Sequence, residues 1–107
     1  MVDYTVNNKI IHIGMIKEFY ILDDAESVNS FAIVCSSYEV RQLRRPSIVL
    51  LFDDTTNKHH PGRFTRKMAD TISEKIKENT DKTDIYICCD SGESRSTAIA
   101  AALMRFY

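Results

Sequence analysis

The feature that most constrains the fold of this chain is a set of short, mostly apolar runs. Residues 31–35 contain only apolar side chains, and residues 47–52 and 84–89 are nearly as apolar. Each run has the length of a strand, and an apolar run without alternation indicates a strand that is buried on both faces. A further strand is predicted over residues 9–14.

Stretches with helical character separate these strands. Residues 66–79 carry their apolar side chains on one face, which predicts an amphipathic helix. Residues 15–22 are expected to form a short helix, and residues 97–107, which are rich in Ala and Leu, a further one. The alternation predicts a single α/β domain over residues 1–107, with a central, mainly parallel sheet flanked by helices.

Composition narrows the range of partners. The chain has 107 residues and a formal net charge of −1, so it has no broad basic field, and nucleic acid is an improbable partner. No apolar run approaches the roughly 20 residues of a membrane span, and the N-terminus does not resemble a signal peptide. Three cysteines, two of them adjacent, do not make a disulfide framework, which favours the cytoplasm. An anionic ligand would have to be bound by a local arrangement of residues.

The segment with the most chemistry is the loop after the last predicted strand, which reads Cys89, Asp90, Ser91, Gly92, Glu93, Ser94, Arg95, Ser96. A loop that leads into a helix N-terminus directs several backbone N–H groups at one point, and the helix dipole adds partial positive charge there. Gly92 supplies the backbone freedom that a tight loop needs. Residues 90–95 are therefore predicted to bind a tetrahedral oxyanion such as phosphate.

Three side chains of this segment have predicted roles in catalysis. Cys89 lies at the floor of the pocket, where the same positive field favours its thiolate, a strong nucleophile toward phosphorus. Arg95 can return over the pocket as a planar fork and bind two phosphate oxygens. Ser96 can donate a hydrogen bond to the thiolate. The spacing of Cys89 and Arg95 alone is weak evidence for a catalytic loop. The evidence is stronger because this mechanism also requires the preceding strand, Gly92 and the following helix.

Residues 89–96 resemble the signature of the cysteine-dependent protein-tyrosine and dual-specificity phosphatases, usually His-Cys-x5-Arg-Ser/Thr. The position of the loop near the C-terminal end is similar to the small bacterial and viral members of the dual-specificity branch. The resemblance covers the second half of the chain well. It implies hydrolysis of a phosphate monoester through a cysteinyl-phosphate on Cys89, without a metal or organic cofactor. A phosphorylated protein or another phosphate monoester is the implied substrate.

The chain differs from the family pattern at several points. Cys88 stands where the family usually has His. Asp90 and Glu93 bring carboxylates into the loop, and because carboxylates repel phosphate, we expect both side chains to point outward. Chains of this family usually continue past the helix after the loop, so the resemblance implies a minimal or C-terminally short version. The exposed end of that helix, residues 103–107, could then associate with a second copy.

The same resemblance implies a general acid. In the family an Asp that follows a buried strand, upstream of the nucleophile, protonates the leaving oxygen. Asp54 matches this position best, and Asp53 is the alternative. A third interpretation is that both residues only cap the end of a strand.

Two other functions use a similar anion pocket. A rhodanese-like sulfur transferase usually has a shorter loop, which argues against it here. A phosphate-binding module without catalysis is the other alternative, because Cys88 stands in place of the usual His and because two residues are candidates for the general acid. His59 and His60 are interpreted as part of a solvated loop, since no further ligand spacing supports a metal site.

Overall fold

A five-stranded mixed sheet lies at the centre of this computed structural model, which describes residues 1–24, 29–40, 43, 46–55, 57, 59–91 and 94–106. The strands are β1 (Val2–Val6), β2 (Lys9–Met15), β3 (Ser30–Ser36), β4 (Ser47–Leu51) and β5 (Asp84–Cys89). Their order across the sheet is β1-β2-β5-β3-β4. β2, β5, β3 and β4 run parallel, whereas β1 pairs with β2 in the antiparallel direction.

Three helices cover the sheet within the described residues: α1 (Ile16–Asp24), α2 (Arg66–Glu78) and α3 (Arg95–Phe106). α1 contacts β2 and β5, while α2 contacts β4, and α3 contacts β5, β2 and β3. The side-chain oxygen of Thr65 accepts a hydrogen bond from the Met68 backbone N–H at 3.3 Å and so caps the start of α2. None of the described helices combines the length and the apolar character that crossing a membrane requires.

Alternate residues of the central strands belong to two separate cores. Ile85, Ile87 and Cys89 of β5 pack in the core beneath α2 and α3. Tyr86 and Cys88 pack in the core beneath α1. Successive side chains of a strand point to opposite faces of the sheet, so a strand with helices on both faces must be apolar at every position. This explains why residues 31–35 contain no polar side chain, and every residue of β3 is buried.

The sequence predicts four of the five strands and all three described helices, but not β1. β1 joins β2 through the two-residue turn of Asn7 and Asn8, whose φ angles are +46° and +67°. Positive φ at both central residues is typical of the type I′ turn that connects antiparallel strands, and Asn tolerates that conformation. The expected α/β fold with a central sheet and flanking helices is confirmed, and the sheet is mixed: β2, β5, β3 and β4 are parallel, and β1 is antiparallel to β2.

His12 of β2 links the two strands on either side of β2. Its Nδ1 atom lies 2.7 Å from Asp3 Oδ1 on β1, and its Nε2 atom lies 2.9 Å from Asp84 Oδ1 on β5. The His12 ring also stacks on Tyr86, with the ring centroids 4.4 Å apart. Because each ring nitrogen lies within hydrogen-bond distance of a carboxylate, one side chain holds β1, β2 and β5 together.

We expect His12→Ala to lower the free energy of unfolding by about 1–3 kcal/mol, since Asp3 and Asp84 lose the ring that links them and Tyr86 loses its stacking partner. Urea denaturation followed by circular dichroism measures this. Thr5→Ala is the control, because Thr5 is an exposed residue of β1 and should change the value by less than about 0.5 kcal/mol. Equal effects of the two substitutions would contradict this role of His12.

Candidate functional site

Polar residues meet at one edge of the sheet because three neighbouring strands end there. β3, β4 and β5 are parallel, so their carboxyl ends lie at the same edge, where open α/β sheets bind ligands. Ser36 ends β3 and Ser37 follows it, Asp53 and Asp54 follow β4, and the loop after β5 begins at residue 90. This loop leads directly into α3, as predicted.

Cys89 is the last residue of β5 and is wholly buried. Its Sγ atom lies 3.2 Å from Oγ of Ser96, which is buried in the first turn of α3. The sequence predicted this pair of residues, and the structure brings them together. The hydroxyl of Ser96 is thus placed to interact with the sulfur in either the thiol or the thiolate form.

Cys35 is the neighbour of Cys89 across the sheet. The two residues are register partners in the parallel pair of β3 and β5, and both belong to the core beneath α2 and α3. Burial, and next the charge of Cys89, raises the pKa of the Cys35 thiol to about 12. Cys35 therefore stays neutral at physiological pH and is an apolar wall of the site rather than a second nucleophile.

The Arg95 side chain is buried and holds the three strand ends together. Its Nη1 atom donates to Ser37 Oγ at 2.9 Å and to the backbone carbonyl of Phe52 at 2.8 Å. Its Nη2 atom donates to Asp90 Oδ2 at 2.9 Å. Its Nε atom is buried and has no hydrogen-bond partner among the described residues. Because buried N–H groups normally find a partner, Nε is a donor that a ligand oxygen can satisfy.

Because of its charge, we expected the Asp90 side chain to point outward. In the structure it instead contacts Arg95 and the end of β3. Its carboxylate accepts hydrogen bonds from Ser36 Oγ at 2.8 Å and from the backbone N–H of Ser37 at 3.3 Å, in addition to the bond from Arg95. Burial acts to raise the pKa of the Asp90 carboxyl, but these hydrogen bonds and the positive charge of Arg95 outweigh it and lower the pKa. Asp90 is therefore a negative partner of Arg95 at the rim of the loop.

Asp54 and Asp53 have different surroundings. Asp54 Oδ1 accepts a hydrogen bond from Ser94 Oγ at 2.8 Å, which joins the end of β4 to the loop before α3. Asp53 instead belongs to the loop that follows it: its backbone N–H donates to the carbonyl of Gly62 at 2.6 Å, and its carboxylate lies 3.8 Å from His60 Nδ1. A Cβ atom at Gly62 would collide with the Asp53 carboxylate. Of the two carboxylates, that of Asp54 is bonded to the part of the Cys89 loop that the structure describes.

Cys88, by contrast, lies on the other face of β5. It is buried beneath α1 with Ala32 and Val34, so its side chain is directed away from that of Cys89. Ser91 is exposed. Gly92 and Glu93, which the sequence places in the phosphate-binding loop, lie outside the described residues.

Sequence reasoning missed the groups that anchor Arg95. Ser37 and Phe52 follow β3 and β4, and a polar residue after a strand is easily interpreted as an ordinary loop residue. Their position was the available signal: Ser36 ends a fully buried parallel strand and Ser37 follows it, so both reach the same sheet edge as Cys89.

No match was found when the chain was compared with models of known protein families, with curated proteins and with solved structures.

Asp90→Asn should destabilise the protein by about 1–2 kcal/mol near neutral pH, because the charged partner of Arg95 is lost. The lowered pKa means that the folded state favours the Asp90 carboxylate. Its contribution is therefore present above the ordinary value of 3.8 and is lost as the pH falls below that value toward the lowered one. Urea denaturation of both proteins, near neutral pH and in acid, measures this difference. A difference that does not shrink in acid would contradict the ion pair.

Proposed function

We propose that this chain is a cysteine-dependent phosphate monoester hydrolase of the protein-tyrosine and dual-specificity type. What supports the proposal is the meeting of five side chains at one sheet edge. Cys89 lies beside Ser96, and Asp54 is bonded to Ser94 of the same loop. The Nε–H of the buried Arg95 has no hydrogen-bond partner among the described residues and is a donor for a ligand oxygen.

The first half of the proposed reaction transfers the phosphoryl group to the protein. The Cys89 thiolate attacks phosphorus, the bond between phosphorus and the ester oxygen breaks, and Asp54 gives its proton to that oxygen. Backbone N–H groups of residues 90–95 and the Arg95 guanidinium stabilise the charge on the remaining phosphoryl oxygens. The product that leaves is an alcohol or a phenol.

The second half releases inorganic phosphate. Water attacks phosphorus, Asp54 takes a proton from it, and the bond between sulfur and phosphorus breaks. The thiolate of Cys89 is the leaving group in this step, and a hydrogen bond donated by Ser96 stabilises it. Cys89 and Asp54 are thereby returned to their starting forms.

The proposal includes a reducing compartment, the cytoplasm, as the place of action. A thiolate nucleophile must remain reduced, and none of the three cysteines is in a disulfide. Its substrate is a phosphorylated protein or another phosphate monoester.

The first test is hydrolysis of a small aryl phosphate in the presence of EDTA. We expect turnover by the wild type and none by Cys89→Ser. Cys88→Ser is the matched control, because Cys88 is also buried in β5 but faces α1, and it should retain turnover when its circular dichroism shows a folded protein. Turnover that survives in Cys89→Ser, or a folded and reduced wild type without turnover, would refute the proposal.

Asp54→Asn should lower kcat about 10²–10⁴-fold, the usual contribution of a general acid. Asp53→Asn is the matched control, because its carboxylate neighbours His60 and Gly62 instead of the loop, and it should lower kcat far less. The assignment also predicts that the loss is smaller for a substrate whose leaving group needs no proton, such as a nitrophenolate. Similar losses for the two variants would leave Asp54 without the proposed role.

A second candidate function is phosphate binding without turnover. The observation that favours it is the ion pair of Arg95 with Asp90 at 2.9 Å, because a carboxylate already occupies part of the guanidinium fork. Calorimetric titration with inorganic phosphate separates the two candidates. Binding by a wild type that hydrolyses no ester would select this second function.

A further inference from the structure

A cavity of about 450 Å³ opens between α2 and α3, next to the proposed catalytic residues. Asp54, Ser94 and Arg95 line one end of it. Asp53 and Thr55, the chain neighbours of Asp54, line it as well. Most of the remaining lining is apolar and comes from Phe52, Phe64 and both helices, among them Ile72, Leu103 and Ala98. The volume is within the range of pockets that enclose a small organic ligand, which is about 300–1,000 Å³.

The polar end of the cavity coincides with the place where the leaving group must emerge. The proposed acid, Asp54, has to contact the ester oxygen in order to protonate it. The organic group attached to that oxygen therefore lies beside Asp54, which lines the polar end of this cavity. Arg95 lines the same end of the cavity, and its Nε–H, which has no hydrogen-bond partner among the described residues, is available to a phosphoryl oxygen.

Away from this polar end the cavity offers almost nothing to a polar ligand. Among the described residues of α2 and α3 that line the cavity, the polar side chains are those of Ser73 and of Arg95, and Arg95 lies next to Ser94 at the polar end. Hydroxyl or amide groups placed there would lose their water without gaining partners, which is costly. An apolar group would instead cover apolar surface and be stabilised by burial.

We propose that the substrate is a phosphate monoester with an apolar alkyl or aryl body, which lies in the cavity between α2 and α3 while its phosphoryl group is bound by the loop of Cys89. This inference rests on the proposed function and specifies its substrate. It commits to a small amphiphilic phosphate rather than to a phosphorylated loop of another protein. The substrate's alcohol or phenol is released from the cavity after the first half of the reaction.

The test is hydrolysis of ethyl, butyl, hexyl and octyl phosphate, below the concentrations at which they form micelles, by measurement of released inorganic phosphate. We expect kcat/KM to rise about fourfold for each methylene that the cavity buries, and then to level off. Glycerol phosphate is the polar control and should be no better than ethyl phosphate. Equal kcat/KM along the series would overturn the inference, as would a phosphotyrosine peptide that is hydrolysed more efficiently than every alkyl phosphate.

Ala102→Phe provides the structural half of the test. Ala102 lines the cavity on α3, so a large side chain there should reduce the ratio of kcat/KM for octyl phosphate to that for ethyl phosphate by about tenfold. Ala101→Phe is the matched control, because Ala101 is an exposed residue of the same helix that does not line the cavity, and it should keep the wild-type ratio. An unchanged ratio in a folded Ala102→Phe protein would overturn the inference.

Failure of this inference is distinguishable from failure of the proposed function. If the wild type hydrolyses aryl and ethyl phosphate but gains nothing from longer chains, the proposed function stands and the inference is wrong. If it hydrolyses no ester, the proposed function is wrong. Calorimetric titration with octyl and ethyl phosphate then tests whether the cavity binds the apolar part of a phosphate ester. Tighter binding of octyl phosphate, lost in Ala102→Phe, would support the inference, and equal binding would overturn it.

Discussion

The buried guanidinium of Arg95 is the interaction on which the arrangement of the site depends. It is only 9% exposed, and a buried cation is stable only with good hydrogen-bond partners. The partners of Arg95 are Ser37, which follows β3, the backbone carbonyl of Phe52, which follows β4, and Asp90, in the loop after β5. One side chain at the start of α3 thus holds the carboxyl ends of three strands in a common geometry, and it places Asp54 within reach of the same loop.

The pairing of Arg95 with Asp90 also determines the electrostatics of the proposed phosphate site. A lone carboxylate at this position would repel a phosphate, but the carboxylate and the guanidinium together are neutral. The positive character of the site then has to come from the N-terminal end of α3 and from the one N–H group of Arg95 that has no partner among the described residues. A site of this kind stays stable without a ligand, because its cation is already compensated, yet it retains donors for oxyanions.

The fold was predictable where burial leaves a pattern in the sequence and unpredictable where it does not. β3 and β5 were found because helices on both sides of the sheet require apolar residues at every position. β1 has no apolar run, because its side chains are almost all exposed, and the alternation of Val2, Tyr4 and Val6 with polar residues over five positions was not interpreted as a strand. His12 was missed as a link for a related reason: its partners Asp3 and Asp84 are far apart in sequence and meet only through the pairing of β1, β2 and β5.

The same reasoning applies to the site. That Cys89 and Ser96 lie close together could be predicted, because they flank one loop between a strand and a helix, whereas the choice of Asp54 over Asp53 came from the family resemblance. The contacts of Asp90 could not, since the direction of its side chain depends on Ser36 and Ser37 of another strand.

The two adjacent cysteines show how strongly strand geometry separates neighbouring residues. Cys88 and Cys89 are both wholly buried, yet one packs beneath α1 and the other beneath α2 and α3. A side chain at position 88 is therefore directed away from the Cys89 sulfur, and exchanging it leaves the contact between Cys89 and Ser96 in place. The absence of His at position 88 consequently does not remove a direct partner of the proposed nucleophile. Stabilisation of its thiolate has to come from Ser96 and from the N-terminal end of α3.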